Sequence, residues 1–100
     1  MKITKSSTNG TSFHGVVIRA SVNDLISVLG EPTIQDNTGD DKVNFEWDCE
    51  TEDGDVFTIY DWKEYRKLDL DETIEWYIGA HSKSVSNTAF DELIDSCVNL

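Results

Sequence analysis

The stretch VNFEWDCETEDGDVFTIYDW, residues 43–62, decides the fold of this chain. Its first half alternates apolar and polar residues, with Phe45, Trp47 and Cys49 separated by acidic side chains. This period of two is typical of a β-strand that is buried on one face only. The dipeptide Asp53-Gly54 favours a two-residue hairpin turn, and a second strand-like run follows it. We therefore predict an antiparallel hairpin with one apolar face and one acidic face.

A two-residue turn at Asp53-Gly54 also fixes which residues of the two strands face each other. The pairs expected on the buried face are Phe45–Trp62, Trp47–Tyr60 and Cys49–Thr58. The pairs expected on the other face are Glu46–Asp61, Asp48–Ile59 and Glu50–Phe57. This register predicts an aromatic ladder in the core, and it predicts repulsion between Glu46 and Asp61 that needs a cation, solvent or an offset register to relieve it.

The segments on either side of the hairpin predict an α+β domain that occupies residues 1–100. Phe13–Ala20 is expected to be a strand that is buried on both faces for part of its length. Ser21 caps a helix that ends at Gly30, before Pro32. The remaining predictions are an exposed loop over 33–42, a strand over Thr73–Gly79, and a helix after Ser84 with Val85, Ala89, Phe90, Leu93, Ile94, Cys97 and Val98 at helical spacing.

The predicted order is therefore β-α-β-β-β-α, with a mainly antiparallel sheet. Both helices are expected to pack on the apolar face of this sheet and to leave its acidic face exposed.

The charge of the chain excludes one class of partner and favours another. It has 20 acidic and 8 basic residues among 100, which gives a formal net charge of −12. Such a surface repels phosphate backbones, so we expect no direct binding to nucleic acid and a protein partner with a basic surface instead. Cys49 and Cys97 are expected to be buried thiols. Neither a long apolar run nor a signal-peptide pattern is present, so we expect a cytoplasmic protein that does not bind membranes.

Acidic residues in the middle of the chain form the first candidate site. The residues expected to contact a protein partner are Asp36, Asp40, Asp41, Glu46, Asp48, Glu50, Glu52 and Asp53. Their carboxylates could imitate the phosphates of DNA or dock on a basic groove. The alternative is a solvated strand and loop that only keep the protein in solution. A calcium loop is a third interpretation, but the region lacks the twelve-residue ligand spacing with a terminal Glu.

Basic and aromatic residues in the second half form another candidate site. A nucleotide or other anion could be held by Lys63, Tyr65, Arg66, His81 and Lys83. The alternatives are bases that neutralise nearby acids and an ordinary helix cap after Gly79. If the last two strands run antiparallel, Lys63 and Lys83 lie at opposite ends of the final strand, so we predict no tight mononucleotide binding.

Catalysis has little support in the sequence. The chain has two histidines, His14 and His81, and no order of residues matches a nucleophile or metal motif. We predict neither a cofactor nor a bound metal. A minor hydrolase that uses paired carboxylates such as Glu46 and Asp61 is the remaining enzymatic alternative.

Several segments together resemble a group of small proteins that are encoded by tailed bacteriophages. These segments are Gly10-Thr11-Ser12-Phe13-His14-Gly15, Leu29-Gly30-Glu31-Pro32, Glu46-Trp47, Asp53-Gly54, Thr58-Ile59-Tyr60-Asp61-Trp62-Lys63 and Glu75-Trp76-Tyr77-Ile78-Gly79. This chain departs from the pattern by having Ala80 where a second glycine is usual. The resemblance implies a phage or prophage origin and a host-cell setting, and it supplies no activity. The leading hypothesis is a non-enzymatic protein that binds and inhibits a host protein through its acidic surface; a defence factor, which would make it an anti-defence protein, and a nucleic-acid-handling factor are the two kinds of target considered.

Overall fold

The computed structural model describes residues 1–98, with side chains described for residues 1–96. The elements are β1 (Lys2–Ile3), β2 (Ser12–Ala20), α1 (Val22–Leu29), β3 (Ile34–Gln35), β4 (Phe45–Glu50), β5 (Val56–Tyr60), β6 (Ile74–Ala80) and α2 (Lys83–Val98). Their strands form one six-stranded antiparallel sheet in the order β1-β4-β5-β6-β2, and β3 also pairs with β4. The predicted α+β class and element order are confirmed, with β1 and β3 as additional two-residue strands.

Helix α1 begins and ends where its sequence predicts. The Ser21 hydroxyl accepts the Asp24 N–H at 3.0 Å, and the Asp24 carboxylate accepts the Ser21 N–H at 3.0 Å. This capping box satisfies two N–H groups that a helix start leaves unpaired. Gly30 ends the helix, and its N–H donates to Ile26 O at 2.8 Å. Val22 and Leu25 are fully buried against the sheet.

Two tryptophans attach both ends of α1 to the sheet. Trp47 donates its indole N–H to Gly30 O at 2.9 Å, and Trp76 donates its indole N–H to Ala20 O at 2.8 Å. The two rings meet edge to face at 5.4 Å and are completely buried. Each indole therefore buries a large apolar surface without leaving its one polar group unpaired. We call this helix-covered side of the sheet the closed face.

The register of the β4–β5 hairpin differs by one residue from the predicted one. Trp47 pairs with Ile59, and Cys49 pairs with Phe57. The loop has three residues, 52–54, because Thr51 N donates to Asp55 O at 2.9 Å and Gly54 N donates to Thr51 O at 2.9 Å. Gly54 has φ +87°, the left-handed conformation that closes a three-residue hairpin loop. The predicted two-residue turn is wrong.

This shift moves every side chain of β5 to the opposite face of the sheet. Phe57 and Ile59 are completely buried on the closed face, whereas Tyr60 is half-buried and Trp62 is 39% exposed. The predicted burial of Tyr60 and Trp62 in the core is therefore wrong. The observed register places Phe57 and Ile59, which have no polar side-chain atoms to satisfy, on the closed face, and it places the hydroxyl groups of Thr58 and Tyr60 on the other face.

The remaining differences concern how deeply single residues are buried. Strand β2 lies at the sheet edge with helices on one side only, so Phe13 is 43% exposed and the prediction of burial on both faces is wrong. Helix α2 buries Ala89 and Leu93, whereas Ile94 is 37% exposed. Cys49 is buried and unpaired, as predicted. The predictions for the side chains of Cys97 and Val98 lie outside the described residues.

A polar network joins the loops before β4 and after β5. The buried Asp61 carboxylate accepts the N–H groups of Asn44 and Phe45, both at 2.8 Å. The buried Asn44 amide donates to Arg66 O at 2.7 Å, and Lys63 N donates to Lys42 O at 2.8 Å. The loop predicted over 33–42 is thus exposed for most of its length but tied to the segment after β5. These bonds fix the position of Trp62 at the end of the sheet.

Candidate functional site on the open face of the sheet

The side of the sheet opposite the helices, which we call the open face, carries the candidate functional site. Its four long strands contribute Phe13, Val17 and Arg19 of β2, Glu46, Asp48 and Glu50 of β4, Val56, Thr58 and Tyr60 of β5, and Glu75, Tyr77 and Gly79 of β6. They alternate with the closed-face residues because successive side chains of a strand point to opposite faces. The predicted acidic face is therefore present, but it also carries aromatic rings.

Four aromatic rings form a row across the open face. Phe13 and Tyr77 have their ring centroids 4.6 Å apart, Tyr77 and Tyr60 are 5.9 Å apart, and Tyr60 and Trp62 are 6.1 Å apart. The row runs from the edge strand β2 over β6 and β5 to the segment after β5. We call these four residues the aromatic row. Aromatic side chains bring a large contact area at low entropic cost, and they are enriched in binding surfaces.

Two neighbouring carboxyl groups lie beside the aromatic row on β4. Burial and the neighbouring Asp48 raise the pKa of Glu46 to about 7. One oxygen of the aspartate, Asp48 Oδ1, is buried and has no hydrogen-bond partner. In the described part of the chain no basic side chain forms an ion pair with either group. Glu46 therefore tends to keep a proton in place of a cation, since burial and a neighbouring carboxylate both disfavour its charged form.

A cavity of about 240 Å³ lies on the open face beside Glu46. Glu46, Tyr60 and Trp62 line one side of it. Gly79 lies opposite Thr58 at its base, and a Cβ atom on Gly79 would approach Thr58 Oγ1 to 2.6 Å. Only glycine at this position keeps the base of the cavity open without displacing the threonine hydroxyl.

The opposite side of the cavity is formed by the segment that connects β1 to β2. We call residues 4–11 the crossing segment, because they lead from β1 at one end of the strand order to β2 at the other. Thr8 and Thr11 line the cavity together with Ser12, the first residue of β2. Thr11 donates both its N–H and its hydroxyl to Thr8 O, at 3.1 and 2.7 Å, which fixes this turn. The crossing segment thus covers part of the open face and brings hydroxyl groups opposite Glu46.

The segment after β5 holds Trp62 between lysines in a strained backbone. Lys63 and Tyr65 have φ values of +56° and +50°, which are unusual for residues other than glycine. The ammonium groups of Lys42 and Lys63 lie 5.8 and 5.5 Å from the centre of the Trp62 ring. Cations are attracted to an indole face at these distances. Strained backbone is concentrated at binding sites, and this segment borders the cavity.

The eight acidic residues predicted as a partner surface separate into three groups. Asp36, Asp40 and Asp41 lie in the exposed loop before β4, and Glu52 and Asp53 lie in the hairpin loop after it. Glu46, Asp48 and Glu50 lie half-buried on the open face. The three groups follow one another along β4 and the loops at its two ends, so only the middle group is next to the aromatic row.

The five residues predicted to hold an anion are not brought together. Arg66 forms a bidentate pair with Glu72 at 2.6 and 3.0 Å, which raises the pKa of Arg66 and lowers that of Glu72. Lys63 follows β5, whereas His81 and Lys83 follow the far end of β6. The expectation that Lys63 and Lys83 lie at opposite ends of the final strand is confirmed. Tyr65 is 55% exposed, and the Ser82 hydroxyl accepts Val85 N–H at 3.2 Å, as in a helix cap.

The carboxylate pair considered for hydrolysis is not the pair that the structure forms. Glu46 faces Tyr60 rather than Asp61. Burial raises the pKa of Asp61, and the N–H groups of Phe45 and Asn44 oppose this effect. Asp61 is 1% exposed, so it serves the loop network rather than a substrate. Burial raises the pKa of the Cys49 thiol to about 12, which leaves it unreactive at neutral pH. The described residues contain no group of three or more potential metal ligands.

The sequence pattern missed the aromatic row and the cavity. A two-residue turn assigns Tyr60 and Trp62 to the core, and the structure has a three-residue loop instead. The signal for the correct register was the run Val56–Tyr60, in which burying Phe57 and Ile59 leaves no hydroxyl in the core. The hydroxyl groups of the crossing segment gave no signal, because which part of the sheet a connection covers is decided by strand order.

No protein-family model, curated protein or solved structure matches this chain. Over residues 1–98, neither helix has both the length and the apolar character needed to cross a membrane. The open face itself is therefore the basis for assigning a function.

Proposed function

We propose that this chain is a non-enzymatic, phage-encoded protein that acts in the host cytoplasm, where its open face binds and inhibits a host protein with a basic surface. One observation carries the proposal: half-buried carboxyl groups without a basic partner among the described residues lie beside a row of aromatic rings. Arginine and lysine side chains satisfy both features, since they neutralise carboxylates and stack on aromatic faces.

The charge distribution supports a basic protein rather than a nucleic acid as the partner. The formal net charge of −12 attracts a basic surface from a distance and speeds its association. The same charge repels phosphates, and Arg19 is the one basic residue that the four long strands, all within the described chain, place on the open face. A nucleic-acid-handling or defence factor has the basic groove that such a surface fits, and the resemblance to tailed-phage proteins supports a host target of this kind.

The alternatives draw less support from the geometry. An anion site would need Arg66, which is neutralised by Glu72, together with Lys63 and Lys83, which are separated by the length of β6. A hydrolase would need a carboxylate pair around a substrate, whereas Glu46 supplies the one carboxyl group among the described residues that line the cavity.

The experiment compares two variants that remove the same formal charge. Glu46→Gln/Asp48→Asn/Glu50→Gln neutralises the open face, and Asp36→Asn/Asp40→Asn/Asp41→Asn neutralises the loop before β4. Tagged wild-type protein and both variants are incubated with host lysate, and the retained proteins are identified and purified. Affinity, association rate and inhibition are then measured for each purified partner at low and moderate salt.

We expect a basic partner whose affinity falls steeply with salt and falls about tenfold or more in the open-face variant, mainly through slower association. The loop variant should lose much less. Equal losses of affinity in the two variants would show that binding depends on net charge alone and not on the open face. An affinity that neither variant changes would move the interface away from the open face, and binding without inhibition would exclude the inhibitor role. Circular dichroism confirms that each variant is folded.

A further inference from the structure

We infer that the cavity beside Glu46 is a receptor for a guanidinium group, which an arginine side chain of the basic partner supplies. This inference rests on the proposed function and names the contact that the open face makes. It concerns one side chain in one cavity, so it can be tested with a small probe in the absence of any partner.

The lining of the cavity matches the chemistry of a guanidinium group. Tyr60 and Trp62 contribute aromatic surface, and Glu46 contributes a carboxyl group. A planar guanidinium stacks on an aromatic ring while its N–H groups fork onto a carboxylate. Hydroxyl acceptors on the opposite side come from Thr8, Thr11 and Ser12. The volume of about 240 Å³ accommodates the end of one arginine side chain rather than a larger ligand.

The carboxyl groups of Glu46 and Asp48 are partly desolvated, and neither forms an ion pair with a basic side chain among the described residues. Burial and the neighbouring Asp48 raise the pKa of Glu46 to about 7, so near neutral pH a large fraction of the molecules hold a proton on Glu46. Asp48 Oδ1 is buried and has no partner. A guanidinium that enters the cavity takes the place of this proton: Glu46 releases its proton to the buffer and forms an ion pair with the incoming cation. The charge of the site is then balanced without repulsion between the two carboxylates.

The titratable groups that face Glu46 favour this exchange. Asp48 on the same strand attracts the cation. Tyr60 on β5 stays neutral, since burial and the neighbouring Glu46 raise its pKa. The side chains that face Glu46 from across the cavity carry no charge, because they are threonines and a serine.

The lysines around the open face oppose the exchange to a limited extent. Lys42 and Lys63 lie over the Trp62 ring and repel a third cation there. Lys63→Gln should therefore strengthen binding. Lys2 of β1 is exposed and pairs with Glu50, at the end of β4 away from Glu46, so its effect on the cavity is smaller.

The test uses N-acetyl-arginine amide as the probe and N-acetyl-lysine amide as its comparison. Binding to the intact chain is followed by two-dimensional NMR at about pH 6 and about pH 8, and the carboxyl carbon of Glu46 is titrated with and without the probe. The arginine probe should bind about tenfold more tightly at the higher pH, because the carboxylate must be ionised. It should also lower the pKa of Glu46 and bind about tenfold more tightly than the lysine probe.

Three variants separate the contributions of charge, ring and space. Glu46→Gln should weaken binding about tenfold at the higher pH and abolish its pH dependence, while Glu31→Gln, an exposed residue away from the cavity, changes neither. Trp62→Ala should weaken binding about fivefold. Gly79→Ala should narrow the base of the cavity and weaken binding without changing charge, since its Cβ lies 3.4 Å from Tyr60 as well as 2.6 Å from Thr58.

Binding that is indifferent to pH and to Glu46→Gln, or a lysine probe that binds as tightly as the arginine probe, would overturn the inference. Absence of arginine-probe binding to folded wild-type protein would also overturn it. The proposed function is tested separately, because the partner can still bind the open face when the cavity takes no arginine. If the cavity takes no arginine but the open-face variant alone loses partner binding, the proposed function is supported and the guanidinium contact is not.

Discussion

The two faces of the sheet are built from the same alternating strands, but they differ in whether their polar side-chain groups have partners. On the closed face Trp47 and Trp76 are completely buried, and each indole N–H donates to a carbonyl at an end of α1. On the open face Tyr60 and Tyr77 form part of the aromatic row, beside carboxyl groups of β4 that have no basic partner among the described residues.

The difference is that the buried polar atoms of both closed-face indoles have hydrogen-bond partners, whereas a buried carboxylate oxygen of Asp48 on the open face has none. Both indoles of the closed face are packed and their polar atoms are bonded, as expected for a core. The open face holds two rings, several hydroxyls and the desolvated carboxyl of Glu46 around a cavity, and desolvating a carboxyl costs free energy. A face that served only to keep the protein in solution would leave its carboxyl groups in water.

The largest expected effect is the loss of a closed-face ring. Trp47→Ala should lower the free energy of unfolding by about 3–5 kcal/mol, because a buried indole and its bond to Gly30 are both lost. The matched change on the open face, Tyr77→Ala, should cost about 1 kcal/mol, the scale of lost ring contacts. Chemical denaturation measures both. Equal costs would mean that the open face is packed as a core, which would remove the contrast between the faces.

The next effect concerns the network that places Trp62 at the open face. Asp61→Ala should cost about 2–4 kcal/mol, because it leaves the N–H groups of Asn44 and Phe45 without an acceptor. Asp55→Ala, at an exposed residue beside the hairpin loop, serves as the control and should cost little. If Asp61→Ala lowered the free energy of unfolding only slightly in chemical denaturation, water would replace this carboxylate as the acceptor. The network would then not hold the segment that carries Trp62.

A smaller effect, with a defined pH dependence, is expected for Glu46→Gln. The pKa of Glu46 rises from 4.5 to about 7 on folding, so folding takes up a proton between these values. Stability from this group is complete below pH 4.5 and is lost as the pH rises through about 7. The variant carries a neutral amide at every pH, so it escapes this loss.

Glu46→Gln should therefore be more stable than the wild type above neutral pH by about 1–2 kcal/mol, less than the full linkage value because Glu46 is only half-buried. Below pH 4.5 the two proteins should be equally stable, because the side chain of Glu46 is then neutral in the folded and in the unfolded state. Denaturation across this range measures the difference, and parallel curves would contradict the raised pKa.

The smallest effect tests the turn that assigns residues to the two faces. Gly54→Ala should cost about 1 kcal/mol, because alanine is strained at φ +87°. Thermal unfolding measures this cost. If Gly54→Ala left the stability unchanged, the loop would have a different turn. The two-residue turn and its register, which place Tyr60 on the closed face, would then be favoured.

The sequence by itself determined the elements and their class. Ser21, Asp24 and Gly30 specify where α1 begins and ends through local hydrogen bonds. The alternation in β4 specifies that Phe45 and Trp47 share a face. These features depend on residues within a few positions of one another, so they can be read from the chain directly.

Only the tertiary structure decided which residues meet on the open face. The length of one loop, three residues instead of two, moved Tyr60 to the side of Glu46. The strand order led the crossing segment across the open face, where Thr8 and Thr11 line the cavity together with Glu46. Both outcomes depend on the free energy of the whole sheet, in which burying Phe57 and Ile59 outweighs the preference of Asp53-Gly54 for a shorter turn.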